Sequence, residues 1–243
     1  MKPRIARRKH PRVLVIDIGG SNVKFKVFGA TQKRRFKSGP SLTPARMVKQ
    51  TLAMTHDWHF DVVSIGFPGP VVGGKPVGLP KHLGRGWAGF DFQKRFRKPV
   101  KIVNDAAMQA LGSYHGGRML FIGLGTGLGS ALVTNEIIIP LELCNLPYKN
   151  GKSMEENLCK VALKTMGKEK WQCLVHEIVA ILKDSFLADY LVIGGGNAKH
   201  LGKPLPAGAT LGHNENALLG GHRLWDSKPV RSQKNRNATW VVA

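Results

Sequence analysis

Twice along this chain a short run of aliphatic and β-branched residues stops on a cluster of glycines and resumes on the far side. Val13–Ile18 (VLVIDI) runs into Gly19-Gly20 and is followed by residues 23–28, where Lys24 and Lys26 alternate with apolar neighbours. Residues 119–123 and 130–133 bracket the sequence GLGTGLG at 123–129 in the same way. Such runs read as strands and the glycines between them as tight turns. A repeated strand, turn, strand unit predicts two similar lobes with a cleft between them.

The segments between these units alternate helical and extended patterns. Residues 41–56 carry Thr43 before Pro44 and apolar positions at Met47, Val48, Leu52 and Met54, which predicts a capped helix. Residues 61–65 and 100–103 read as strands, 105–114 as a helix, 153–165 and 169–186 as amphipathic helices, 190–193 as a buried strand and 216–224 as a last helix. The Gly- and Pro-rich stretch 66–87 reads as a long functional loop. The expected fold class is therefore α/β with mixed sheets. The expected organisation is a basic arm at 1–12, an N-terminal lobe at 13–103, a C-terminal lobe at 104–225 and a tail at 226–243.

Three glycine-rich turns, at 17–22, 123–129 and 194–196, each follow an apolar strand directly. Turns of this kind expose backbone N–H groups and let phosphate oxygens approach. None fits GxxxxGK[ST], and the turn at 123–129 does not lead into the helix of a dinucleotide fingerprint. Between them Asn104-Asp105 ends a strand. An aspartate there commonly caps the helix that follows; with phosphate-type turns on either side it is also a candidate base for phosphoryl transfer.

Composition narrows the partners. The chain has 243 residues, 37 Lys plus Arg against 15 Asp plus Glu, and a formal net charge of +22, so its surface attracts polyanions. Nucleic acid is a poor fit, because aromatic residues make up only 7% and no reader motif is present. No window has the roughly 18 unbroken apolar residues of a membrane span, and no apolar segment follows the basic residues Arg4, Arg7, Arg8, Lys9 and Arg12, so a cytoplasmic protein is expected. Cys144, Cys159 and Cys173 lack any CxxC spacing and read as reduced, buried small hydrophobes, with no zinc site.

The motifs DIGGSNVK at 17–24, GFPGPVV at 66–72, VND at 103–105, GLGTGLGSAL at 123–132 and VIGGG at 192–196 together resemble the ROK sugar kinases of the actin-like ATPase superfamily. Within that family the chain looks most like the polyphosphate glucokinases, over roughly residues 13–225. The resemblance implies two actin-like, ribonuclease H-like lobes around a central cleft and transfer of a phosphoryl group from polyphosphate or ATP to a hexose hydroxyl, with Mg²⁺. It implies Asp105 as the catalytic base and Asp17 as the residue that holds Mg²⁺ through water. Donor phosphates would be bound by Asp17, Gly19, Gly20, Ser21, Lys24, Gly125, Thr126 and Gly127, with the far part of the donor at Gly194, Gly195 and Gly196. Pro68, Gly69, His82, Asn104, Asp105 and Glu142 would line the sugar site. Family analogy further implies a homodimer.

Two stretches depart from the family pattern. Where relatives carry Glu-x-Gly-His, this chain has Glu142-Leu-Cys-Asn145, with Pro147 in place of a second glutamate. Where they carry Asn-Leu before a tryptophan, it has Lys81-His82-Leu83 ahead of Trp87. These changes leave the sugar open, and they motivate an alternative function: a catalytically silent relative that binds a sugar or a polyanion and acts as a regulator.

Overall fold

The computed structural model describes residues 11–80, 82–135, 137–213, 215–226 and 241–242. The arm expected at 1–12 and the tail expected at 226–243 therefore lie almost wholly outside the described residues.

The first sheet opens with β1 (Val13–Ile18), which turns at Gly19-Gly20 into antiparallel β2 (Asn22–Val27) and then β3 (Arg34–Lys37). Helix α1 (Pro44–Met54) follows, with Pro44 at its first turn and the Thr43 hydroxyl accepting the Arg46 N–H at 3.3 Å. The chain re-enters the sheet as β4 (Val62–Phe67), parallel to β1. A small hairpin, β5 (Val71–Val72) with β6 (Lys75–Pro76), and a short helix, α2 (Phe92–Phe96), precede β7 (Val100–Asn104). The strand order is β3-β2-β1-β4-β7.

Helix α3 (Asp105–Ser113) leads to a second sheet containing β8 (Arg118–Leu124), β9 (Leu128–Thr134) and β10 (Ile137–Leu141). Helices α4 (Met154–Leu158), α5 (Lys160–Met166) and α6 (Lys168–Ser185) cover its outer face. Strands β11 (Tyr190–Gly194) and β12 (Ala209–Leu211) extend it, helix α7 (Asn216–Arg223) returns towards β1, and β13 (Val241–Val242) pairs with β10. The order is β12-β11-β8-β9-β10-β13, with parallel and antiparallel pairs in both sheets, so the α/β fold with mixed sheets is as expected. No helix among the described residues is long and apolar enough to cross a membrane.

Three cores follow from strand alternation, one of them between the second sheet and helices α4, α5 and α6. Leu14, Ile16 and Ile18 of β1 face outwards onto α1, α2 and the buried Trp87, whereas Val13 and Val15 face inwards onto α3 and α7. The inner layer continues through Met119, Phe121, Ala131 and Val133 of the second sheet, so α3 and α7 are sandwiched between the sheets. Burial on both faces explains why β1 reads as an unbroken apolar run until Asp17. Each such aliphatic side chain stabilises the fold by roughly 1.5–3 kcal/mol.

Some expectations needed correction. The stretch 66–87 holds the last residues of β4 and the β5–β6 hairpin, so it is not a plain loop. The helix expected over 153–165 is two helices, because Cys159 is extended (φ −68°, ψ 173°) and the Lys160 N–H leaves the helical ladder for the Gly125 carbonyl at 2.9 Å. Strand β3 (RRFK) shows only one apolar residue and was invisible to a pattern search. Cys144 and Cys159 are buried, but Cys173 is exposed on α6, where it packs no core.

Candidate active site

Asp17 is the last inward-facing residue of β1, in register with Lys24 on one side and Gly66 on the other. Its face is that of Val13 and Val15, one step beyond the apolar cover. Desolvation there pushes its carboxyl above the usual range, and Lys24 and Lys33 pull it part of the way back.

Asp105 reaches the same place through β7 and α3. Gly66 pairs with Val103, and a β-carbon on Gly66 would overlap Met108 and lie 3.4 Å from the Asp105 Cα. The end of the Met108 side chain fills the space that Gly66 leaves open between β4 and α3. Helix capping falls to Asn104, whose side-chain oxygen accepts the N–H groups of Ala106 (2.9 Å) and Ala107 (3.2 Å). Its amide donates to the Gly69 carbonyl at 3.2 Å and ties the GFPGP segment to the helix start. Asp105 is therefore the first helical residue and not the cap; one of its oxygens still accepts the Ala106 N–H at 2.9 Å. Burial, then the charge of Asp17, and less strongly that of Glu142, push the Asp105 carboxyl up to about 7, with backbone N–H groups opposing.

Three acidic groups thus interact at the end of α3. Glu142 is exposed, at the start of the short 3₁₀ turn Leu143–Asn145, and accepts the Cys144 thiol at 3.3 Å. Within that turn Cys144 is buried and Asn145 exposed.

The first glycine turn is held by its own backbone and by Ser38. The Gly19 N–H donates to Asn22 O at 3.0 Å, the Ser38 hydroxyl to Gly19 O at 2.6 Å, and the Ser38 N–H to Ser21 O at 3.2 Å. The exposed His82 ring lies over Gly20, where a β-carbon would sit 3.4 Å from its Cδ2. Pro68 and Gly69 are half-buried beside the α3 start, and Ser21 and Lys24 are exposed.

The second and third turns form another unit. Thr126 is exposed at the tip of 125–127, and Gly125 N–H donates to Gly127 O at 3.0 Å. Asn197 donates its side-chain amide to Gly125 O at 3.0 Å and its backbone N–H to Leu124 O at 2.9 Å. Gly195, at φ +83°, passes so close to the Leu124 backbone that a β-carbon there would overlap it. Gly194 and Gly196 flank this contact at the end of β11. Helix α3 touches both of these turns: a β-carbon on Gly129 would lie 2.8 Å from the Ala106 Cβ, and one on Gly194 would lie 3.6 Å from Gln109 Oε1.

Sequence reasoning missed Ser38, Asn197 and Glu155. The Glu155 carboxylate accepts the Leu128 N–H at 3.1 Å and closes over Gly127, where a β-carbon would meet it at 2.5 Å. A signal existed. Ser153 and Glu156 form a capping box, with the serine hydroxyl accepting from Glu156 N at 3.2 Å and the glutamate accepting from Ser153 N at 2.8 Å. The adjacent Glu155, also in the first turn of α4, takes no part in that box.

Among the described residues no three His, Cys, Asp or Glu side chains are placed to hold a metal by themselves. Mg²⁺ commonly takes one or two carboxylates and completes its shell with water and substrate phosphates. A single carboxylate beside a glycine turn, as at Asp17, fits that habit.

Comparison with known proteins agrees with this architecture. A family model described as ROK family matches residues 13–140. A glucokinase of Pyrobaculum calidifontis is 26% identical over 134 residues, 53% of this chain but only 41% of that protein. A polyphosphate glucokinase of Mycobacterium tuberculosis is 24% identical over 215 residues, 79% of this chain and 80% of that one. Among solved structures, the inorganic polyphosphate/ATP-glucomannokinase of Arthrobacter sp. strain KM superposes with a TM-score of 0.73 at 22% identity, over 88% of this chain and 97% of that one. The shared fold is that of the actin-like ATPases.

Proposed function

The chain belongs to the ROK family, and we propose that it is a sugar kinase that moves a phosphoryl group from polyphosphate or ATP to a hexose hydroxyl. One observation carries the reading: a carboxylate, Asp105, stands at the start of α3 beside Asp17, with its pKa pushed up to about 7. A pKa near the working pH suits a general base, which must be ionised yet still hold a proton well enough to take it. A helix cap or a passive binding site needs no such tuning.

In this reading the sugar lies against Pro68, Gly69, His82, Asn104 and Glu142, with one hydroxyl facing Asp105. Asp105 takes the proton of that hydroxyl as its oxygen attacks the terminal phosphorus of the donor, and the bond to the bridging oxygen breaks. Gly19, Gly20 and Ser21 on one side, and Gly125, Thr126 and Gly127 on the other, align the donor through backbone N–H groups, with Lys24 adding charge. Where the donor is ATP, Gly194, Gly195 and Gly196 receive its adenine end. Alignment and charge stabilisation supply most of the rate in such transfers. Mg²⁺, held through water by Asp17, would neutralise the donor oxygens. The polyphosphate branch is supported by the relatives' names and by the +22 charge. The same likeness suggests a cytoplasmic homodimer.

The test is to incubate the purified chain with Mg²⁺, a panel of hexoses and either ATP or polyphosphate, and to follow sugar phosphate. Turnover is expected for the wild type, with Asp105→Asn slower by about 10²–10⁴. The rate should rise with pH and level off above about 7 as Asp105 ionises. A folded protein that turns over no pair would overturn the kinase reading in favour of the sugar- or polyanion-binding relative.

A further inference from the structure

The β2–β3 edge of the first sheet carries cations beyond Lys24 that the alignment of a donor's last phosphates does not use. In register, Asp17 faces Lys24, Lys24 faces Arg35, and Asn22 faces Lys37. Directly opposed residues, and residues two apart, project from one face of a sheet. Lys24, Arg35 and Lys37 therefore stand on the face of Asp17. All three are exposed, and none forms an ion pair with a described carboxylate. Their neighbours Lys26 and Lys33 share Glu215, at 3.7 and 3.2 Å.

Like charges opposed across strands destabilise a sheet. Charges on an edge strand guard against pairing with other chains, which accounts for Arg35 and Lys37 on β3. Lys24 sits on the interior strand β2, directly opposes Arg35 and in the reading above already serves the donor, so the row begins at a donor-binding residue. The row also leads somewhere: Lys37 precedes Ser38, whose hydroxyl and N–H hold Gly19 and Ser21 of the first glycine turn.

We propose that Lys24, Arg35 and Lys37 form a track for the distal phosphates of a linear inorganic polyphosphate whose reacting end lies at the first glycine turn. The proposal rests on the donor reading above and deepens it. A long, evenly charged chain bridges the opposed cations and relieves their repulsion. A nucleoside triphosphate has only three phosphates, and those aligned at the turn are not available to the row. A nucleic acid finds no aromatic ring in the row on which to stack a base.

The experiment measures binding of long-chain polyphosphate, tripolyphosphate and a single-stranded DNA of matched charge to the full chain carrying Asp105→Asn, at fixed ionic strength. Long-chain polyphosphate should bind more tightly than either of the others. Arg35→Glu with Lys37→Glu should weaken it by about tenfold or more, whereas Lys164→Glu with Lys168→Glu, an equal charge change on α5 and α6, should cost less than about threefold. Arg35→Gln with Lys37→Gln, checked by thermal melting, should give a smaller loss in the same direction. Equal losses from the two Glu pairs, no preference for the long chain, or equal binding of DNA would each overturn the track. Sugar phosphate formation by the Asp105 parent protein is read separately. Row-dependent binding without turnover keeps the track and removes the kinase, while turnover with ATP and no chain-length preference removes only the track.

Discussion

Asp105 sits where burial and the charge of Asp17 both oppose its ionisation, which makes it a cost to the fold as well as a candidate base. Its carboxyl is raised from 3.8 to about 7, so the folded state holds this proton more tightly than the unfolded chain. Stability from this group is therefore present at low pH and is lost as pH rises from about 4 through about 7. Asp105→Asn should raise the melting temperature most at pH 8, less at pH 5 and little near pH 4, as calorimetry at the three pH values would reveal. A lower melting temperature at pH 8 would mean that neighbouring groups already compensate the charge. Glu155 acts on backbone instead of substrate. Removing the acceptor of the Leu128 N–H should loosen the turn at 125–127. Glu155→Ala is expected to raise the donor KM by about threefold to tenfold and to leave the sugar KM alone, with Glu155→Gln recovering most of the loss because it keeps an acceptor oxygen. A uniform fall in kcat with both KM values unchanged would contradict this positioning role.

At the scale of elements, the α3–α7 crossing decides how closely the two sheets approach. A β-carbon on Gly112 of α3 would overlap the Asn216 carbonyl of α7, and one on Gly220 of α7 would overlap the Met108 carbonyl of α3. Glycine inside a helix costs about 1 kcal/mol relative to alanine, so its presence here reflects backbone-to-backbone contact. Gly220→Ala should destabilise the protein by about 1–3 kcal/mol through overpacking, despite better helix propensity. That loss would appear as a fall in melting temperature of roughly 2–10 °C. An unchanged or higher melting temperature would show that the helices part without loss. The break at Cys159 belongs to the same scale. Periodicity over 153–165 predicts one helix, but one tertiary hydrogen bond, from Lys160 N–H to Gly125 O, competes with one helical bond and ends α4 after a single turn.

Across the whole molecule, α7 closes the chain on itself. The Ser64 hydroxyl donates to Gly221 O at 2.6 Å, the Trp225 indole N–H to the Ser64 oxygen at 2.8 Å, and the Lys101 ammonium to Leu224 O at 2.6 Å. Gly221 lies against Val15, and Ala217 and Leu218 complete the inner core. A chain ending at residue 215 would leave Val13, Val15, Met108 and Leu111 facing water. It is expected to bind a hydrophobic dye and to lose its cooperative thermal transition, measured beside the full chain; a sharp transition near the full-length value would show that α7 is dispensable. The +22 charge also acts at this scale, and binding of a polyanion is expected to weaken steeply as salt is added.

The elements and turns that depend on local chemistry were legible in the residues alone. Apolar runs ending on glycine mark β1, β8 and β11, Thr43-Pro44 marks the start of α1, and an aspartate between the phosphate-type turns points to Asp105. The sequence by itself therefore determined the fold class, the three glycine turns and the leading catalytic candidate, because each rests on contacts between residues close in the chain. Tertiary structure alone decided that Asn104 and not Asp105 caps α3, that Glu155 closes over the second turn, and that Gly112 meets α7. It also decided that Lys24, Arg35 and Lys37 share the face of Asp17. These are meetings of residues far apart in sequence, where strand register and helix crossing choose the partner, and no periodicity along the chain carries that choice.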